Sequence, residues 1–172
     1  MAALNPQVIG KEMPHGFAGC YARQPDMIVE TRPAGGETPI PFGAPLVYDA
    51  TKPAVVAAGA TFAATNFVGV AGCEIKSALT YLDQQAGQYA PGEPVSVFQR
   101  GSINVRAYGT PALGGTVYVR TAASGTYTTE PVGAFTATNE SGSTVALTNC
   151  QWGGPADANG IAELVILTRA NA

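Results

Sequence analysis

From residue 43 to residue 168 the sequence is cut by glycine, proline and asparagine into short runs, and most of those runs alternate apolar with polar residues. A pleated strand sends successive side chains to opposite faces, so alternation of this kind marks half-buried strands. The runs are PLVYD (45–49), NFVGVAG (66–72), PVSVFQ (94–99), SINVRAY (102–108), GTVYVRT (115–121), PVGAFTA (131–137), TVALTNC (144–150) and AELVILT (162–168). Regularly spaced short strands with turn residues between them specify an all-β sandwich or barrel. EIKSALTYLDQQ (74–85) is the one stretch with a helical period, carried by Ile75, Ala78, Leu79 and Leu82, although it also reads as a continuation of the preceding strand.

The stretch SVFQRGSINVRA (96–107) shows the alternation best. Val97, Gln99, Gly101, Ile103 and Val105 fall on one side, and Phe98, Arg100, Ser102, Asn104 and Arg106 fall on the other. A weak internal repeat is present as well. GAPLVYDA followed by FVGVA (43–71) parallels GGTVYVRT followed by PVGAF (114–135), each a glycine turn, a strand and a Val-Gly return strand. Glycine in such a return strand marks a close approach of two backbones.

Residues 1–42 differ from the rest. They carry Pro6, Pro14, Pro25, Pro33, Pro39 and Pro41, and proline removes a ladder donor and keeps its predecessor extended. Only MIVET (27–31) reads as a strand there. The expectation is therefore a β domain over residues 43–172 with about eight short strands, preceded by an extended, proline-rich arm over residues 1–42. Such an arm is expected to dock on a neighbouring chain, with Phe17, Tyr21 and Met27 as its apolar anchors.

Composition narrows the function. Nine lysines and arginines against 12 acids give a formal net charge of −3, without the basic footprint of a nucleic-acid binder. Charged residues are only 12% of the chain, a surface suited to packing against other chains. No apolar run reaches the roughly 18 residues of a membrane span, and the N-terminus lacks the basic-then-apolar pattern of a signal peptide. Three widely spaced cysteines, Cys20, Cys73 and Cys150, read as buried free thiols of a reducing compartment.

Chemistry is hard to place on this chain. The single histidine, His15, lies in the proline-rich arm, away from any rigid support for a catalytic base. One histidine and no Cys-x-x-Cys pair do not complete a common zinc set, and no phosphate-binding glycine loop is present. The reading is a protein with no catalytic residues, no cofactor and no metal. Tyr48, Tyr118 and Trp152 are the candidate sugar platform, with strand packing as the simpler role. Arg100 and Arg106 read as the polar face of a sheet, available to pair with acids of a neighbouring subunit.

Taken in order, FVGVA, QYAPGEPVSVFQRGSINVRA, GGTVYVR and PVGAF resemble the cement, or capsid-decoration, proteins of tailed bacteriophages, over roughly residues 16–168. The resemblance implies a virion protein, made in the host cytoplasm, that sits on the capsid exterior and bridges major capsid proteins. It also implies a homo-oligomer at a local symmetry axis, a trimer ahead of a dimer, with no nucleic-acid or membrane partner. The alternative is a phage tail or fibre accessory domain that binds host glycans.

Overall fold

The computed structural model describes residues 14–73 and 87–169, and the 74–85 helix expectation lies outside them. The two runs expected at 94–99 and 102–108 form one strand, β7 (Pro94–Tyr108). Every other part of the main sheet is arranged around it. In chain order the strands before it are β1 (Tyr21–Pro33), β2 (Ile40–Pro41), β3 (Pro45–Tyr48), β4 (Val55–Ala57), β5 (Phe67–Gly72) and β6 (Gln88–Tyr89). After it come β8 (Thr116–Arg120), β9 (Phe135–Thr136), β10 (Thr144–Trp152) and β11 (Ile161–Ile166). The protein is all-β, as its punctuated alternation predicts.

Five strands close on themselves. β7 pairs β9, β9 pairs β8, β8 pairs β10, β10 pairs β11, and β11 returns to β7. All these pairs are antiparallel except β7 with β9. Closure removes the free edges that an open sheet presents. Inside the ring lie Ile103, Val105, Val117, Val119, Phe135, Leu147, Trp152, Leu164 and Ile166, all essentially inaccessible to solvent. Burial of each such side chain is worth roughly 1.5–3 kcal/mol.

The first half of β7 belongs to a second layer. Its residues 96–98 pair β5 on one edge, while β1 runs antiparallel along the other from Pro33 opposite Pro94 to Tyr21 opposite Ile103. β5 pairs β3, and β3 pairs β4. These strands bury a second core of Ile40, Leu46, Val55, Val68, Tyr89, Val95 and Val97. β2 and β6 form a separate two-stranded ribbon beside it.

One strand serves two cores because its alternation is interrupted. Val95 and Val97 face the second core, whereas Ile103 and Val105 face the barrel together with Phe98. Uninterrupted alternation would place Val97 and Ile103 on one face, as the sequence suggests. The phase changes at Gly101, whose φ is +105°, and a one-residue slip sends every later side chain to the opposite face. A Cβ on Gly101 would lie 2.2 Å from the Asp26 carbonyl oxygen, because β1 bulges over this point between Arg23 and Ile28. β5 repeats the device: Phe67 and Val70 face the barrel, Val68 and Ala71 the second core, with Gly69 between them. A Cβ on Gly69 would lie 2.1 Å from the Phe98 oxygen, and one on the matching repeat glycine, Gly133, 2.3 Å from the Ala58 oxygen.

Alternation located β3, β5, β8, β10 and β11 closely. PVGAFTA is mostly turn, with only Phe135–Thr136 paired as β9. Of residues 1–42, read as an extended arm, the described part from 14 onward includes β1 and β2, and β1 lies along β7 of the same chain.

Gly101→Ala is expected to lower stability by about 1–3 kcal/mol, since both the positive φ and the Asp26 carbonyl oppose a methyl group. Gly114 has a similar positive φ of +72° but open space around it, so Gly114→Ala should cost no more than about 1–2 kcal/mol. Urea unfolding of both variants checks the order, and faster amide exchange in β1 should accompany only the first.

Candidate docking surface

The chain enters the described structure at Pro14 and is held at once. The His15 N–H donates to Asp157 Oδ2 (2.9 Å), and its Nε2 lies 3.3 Å from the Pro155 oxygen. Asn104 Nδ2 donates to the His15 carbonyl (2.6 Å), and Asn104 exchanges backbone bonds with Gly19 and Cys20. Asn104 therefore points outward from the barrel, as the alternation predicts, yet is only 2% exposed, because residues 14–21 cover it.

Of the five residues expected at an interface, the structure brings three to the β1–β7 seam. Tyr21 meets Phe98 edge to face at 5.0 Å, and Met27 packs half-buried on the barrel core. Arg100 pairs with Asp26 of its own chain, Nε to Oδ1 at 3.1 Å, in a largely exposed pair worth about 0–1 kcal/mol. A second pair, Arg23 with the buried Glu163 at 2.8 Å, fastens β1 to β11. Phe17 and Arg106 stand apart from these: Phe17 is 80% exposed, and Arg106 is exposed with no ion-pair partner among the described residues.

Arg106 lines an open groove of about 650 Å³ between the barrel and the second layer, with Phe42, Val56, Tyr108 and Val132. The wall that carries Val132 is held by a residue that alternation places outside. Arg120 follows Val119 on β8 and so points away from the barrel, but its side chain is completely buried. Its Nε and Nη2 donate to Glu130 Oε2 (2.9 and 2.7 Å), and its Nη1 donates to Glu140 Oε2 (2.8 Å). Its carbon Cζ lies 5.6 Å from the centre of the Tyr127 ring. The β8–β9 connection folds over this guanidinium, and backbone bonds from Arg120 to Ala134 and from Gly133 to Arg120 complete the wall. Sequence reading missed Arg120; the signal available was an arginine ending an apolar strand with Glu130 and Glu140 following.

The sugar platform does not assemble. Trp152 is 1% exposed in the barrel core, Tyr118 is half-buried on β8, and Tyr48 is half-exposed with Arg32 Cζ 5.9 Å from its ring centre. Among the described residues no three His, Cys, Asp or Glu side chains gather as a metal site.

Replacing Arg120 by Met leaves Glu130 buried without its partner and should cost about 3–5 kcal/mol, much of it recovered in the double variant Arg120→Met, Glu130→Leu; thermal unfolding of the three proteins tests this. Acid has a related effect. Hydrogen bonds from Arg120 and Ser124 hold the Glu140 carboxyl below its ordinary value of 4.5, and the Ile161 and His15 amides do the same for Asp157 below 3.8. Depressed carboxyls contribute stability that is complete above the ordinary values and is lost as pH falls through the lowered ones. The unfolding midpoint should drop below pH 4.5, and Glu140→Gln should flatten that dependence while lowering the neutral-pH midpoint.

The family described as structural cement protein (E217 gp24/Pam3 gp6) matches residues 5–167. A chain of the structure described as "The capsid of Myoviridae Phage XM1" shares the fold, with a TM-score of 0.68 over 98% of this chain and 99% of that one, at 16% identity. No curated protein matches the sequence. The family match takes in every strand from β1 to β11, and the chain belongs to the structural cement proteins of phage capsids.

Proposed function

We propose that this virion protein binds the outer surface of the capsid and fastens neighbouring major capsid proteins to one another, without a catalytic role. The family match across residues 5–167 carries the reading. Three features of the chain support it. The closed barrel gives a rigid body. The surface bears few charges and several isolated apolar side chains, among them Phe17 and Leu113, each 80% exposed. The groove beside Arg106 is lined mostly by apolar residues, with Glu37 and Thr38 also on its walls.

In this reading the partners are proteins rather than nucleic acid or membrane. Phe17 and Arg106 contact the neighbour, while Tyr21, Met27 and Arg100 hold the N-terminal segment in place for that contact. The protein acts as a homo-oligomer, a trimer ahead of a dimer, since sites at local symmetry axes of a shell require a matching symmetric patch. It is made in the host cytoplasm and joins the shell from outside.

Cosedimentation with empty capsid shells tests this reading. The wild-type chain should pellet with shells in fixed stoichiometry. Phe17→Ser should weaken binding by about 10- to 100-fold, the loss expected for one large buried side chain, and Arg106→Glu should weaken it further at low salt. Native mass spectrometry should give a trimer. Failure of the wild-type chain to bind shells, or equal binding by both variants, refutes the reading.

A further inference from the structure

Cys20 immediately precedes β1, and Cys73 immediately follows β5. Their sulfurs are 3.2 Å apart, although the residues are 53 positions apart in the chain. The backbone holds them there. The Cys73 N–H donates to the Gly19 oxygen (3.0 Å), the Cys20 N–H donates to Phe17 (3.2 Å), and the Cys20 oxygen accepts from Asn104 (2.8 Å). Gly19 permits the approach: its φ is +86°, and a Cβ there would lie 3.1 Å from both the Ala71 oxygen and the Cys73 nitrogen. A disulfide requires about 2.05 Å between sulfurs, so small side-chain rotations on an already fixed backbone suffice. Both residues are partly exposed and within reach of a small oxidant, unlike Cys150, which is 4% exposed in the barrel core.

We propose that Cys20 and Cys73 are a covalent crosslinking site, which a small-molecule disulfide converts from two thiols to one intramolecular disulfide. The Cys20 thiolate attacks the oxidant, forming a mixed disulfide and releasing one small thiol. The Cys73 sulfur, after losing its proton to solvent, attacks the Cys20 sulfur and releases the second small thiol. Two protein thiols are oxidised, and one small disulfide is reduced to two thiols. Burial, with the Cys20 contact adding to it, pushes the Cys73 thiol up to about 12, and the same two attacks in the reverse order yield the same disulfide. The bond ties together the two strands that flank the first half of β7.

The experiment compares the full chain before and after incubation with glutathione disulfide. Alkylation in denaturant should find three free thiols before, and only Cys150 after. The oxidised chain should be about 2 Da lighter, with one peptide pair linked through Cys20 and Cys73. Its thermal midpoint should rise by about 5–10 °C, returning on reduction. Cys20→Ser and Cys73→Ser should each keep two thiols or carry a glutathione adduct, without a rise. Three remaining thiols in the wild-type chain, a stable glutathione adduct at Cys20, or a disulfide between two chains overturns the proposal, and the wild-type thiol count decides the matter even if a serine variant fails to fold.

Discussion

The fold depends on one glycine in one strand. β7 supplies side chains to two separate cores, and it does so only because Gly101 breaks the two-residue period midway along it. With an unbroken period, either Val95 and Val97 or Ile103 and Val105 would turn away from the core they fill. The bulge of β1 lies over the same point, so its backbone and that of β7 approach where no side chain separates them. Closure of the barrel, attachment of the outer layer and the path of the N-terminal segment all meet at this residue.

That arrangement explains what sequence reveals here and what it hides. Alternation reports which way a side chain points: it puts Asn104 on the face away from the barrel, where the structure has it, but it puts Phe98 there too, and Phe98 faces the barrel core. It does not report what lies on that side. Asn104 and Arg120 point away from the barrel and are buried all the same, one under residues 14–21 and the other under the β8–β9 connection. Their covers are recruited from distant sequence by hydrogen bonds that no local pattern encodes. β1 is legible only in its second half, as MIVET (27–31), for the same reason. Arg23, Gln24, Pro25 and Asp26 break any strand pattern, and only the bulge opposite Gly101 accommodates them. β2, β4 and β6, at two or three residues each, are too short to carry a period.

The candidate docking surface was legible in part. Phe17 and Arg106 are exposed as a contact residue should be, and they are recognisable in the sequence as an aromatic on a proline-rich segment and a charge on an alternating strand. Tyr21, Met27 and Arg100 carry the same marks, yet in this structure they engage their own chain. Sequence cannot separate these groups, because an apolar anchor has the same composition whether its partner is its own barrel or a neighbour. The groove is still less legible, since it is assembled from β4, β7 and the β8–β9 connection.

The ring of five strands also sets an order of events in the life of the molecule. β7 lies in the middle of the chain, but its barrel edge over residues 101–106 is satisfied by β11, about 60 residues further on. Before Ile161–Ile166 is available, Ile103 and Val105 lack the strand that covers them, and the second half of β7 is an open edge. Contacts of such long range bring no gain until a large loop has closed, and topologies built from them fold slowly. The barrel therefore closes only after residues 161–166 have been made and can pair with β7.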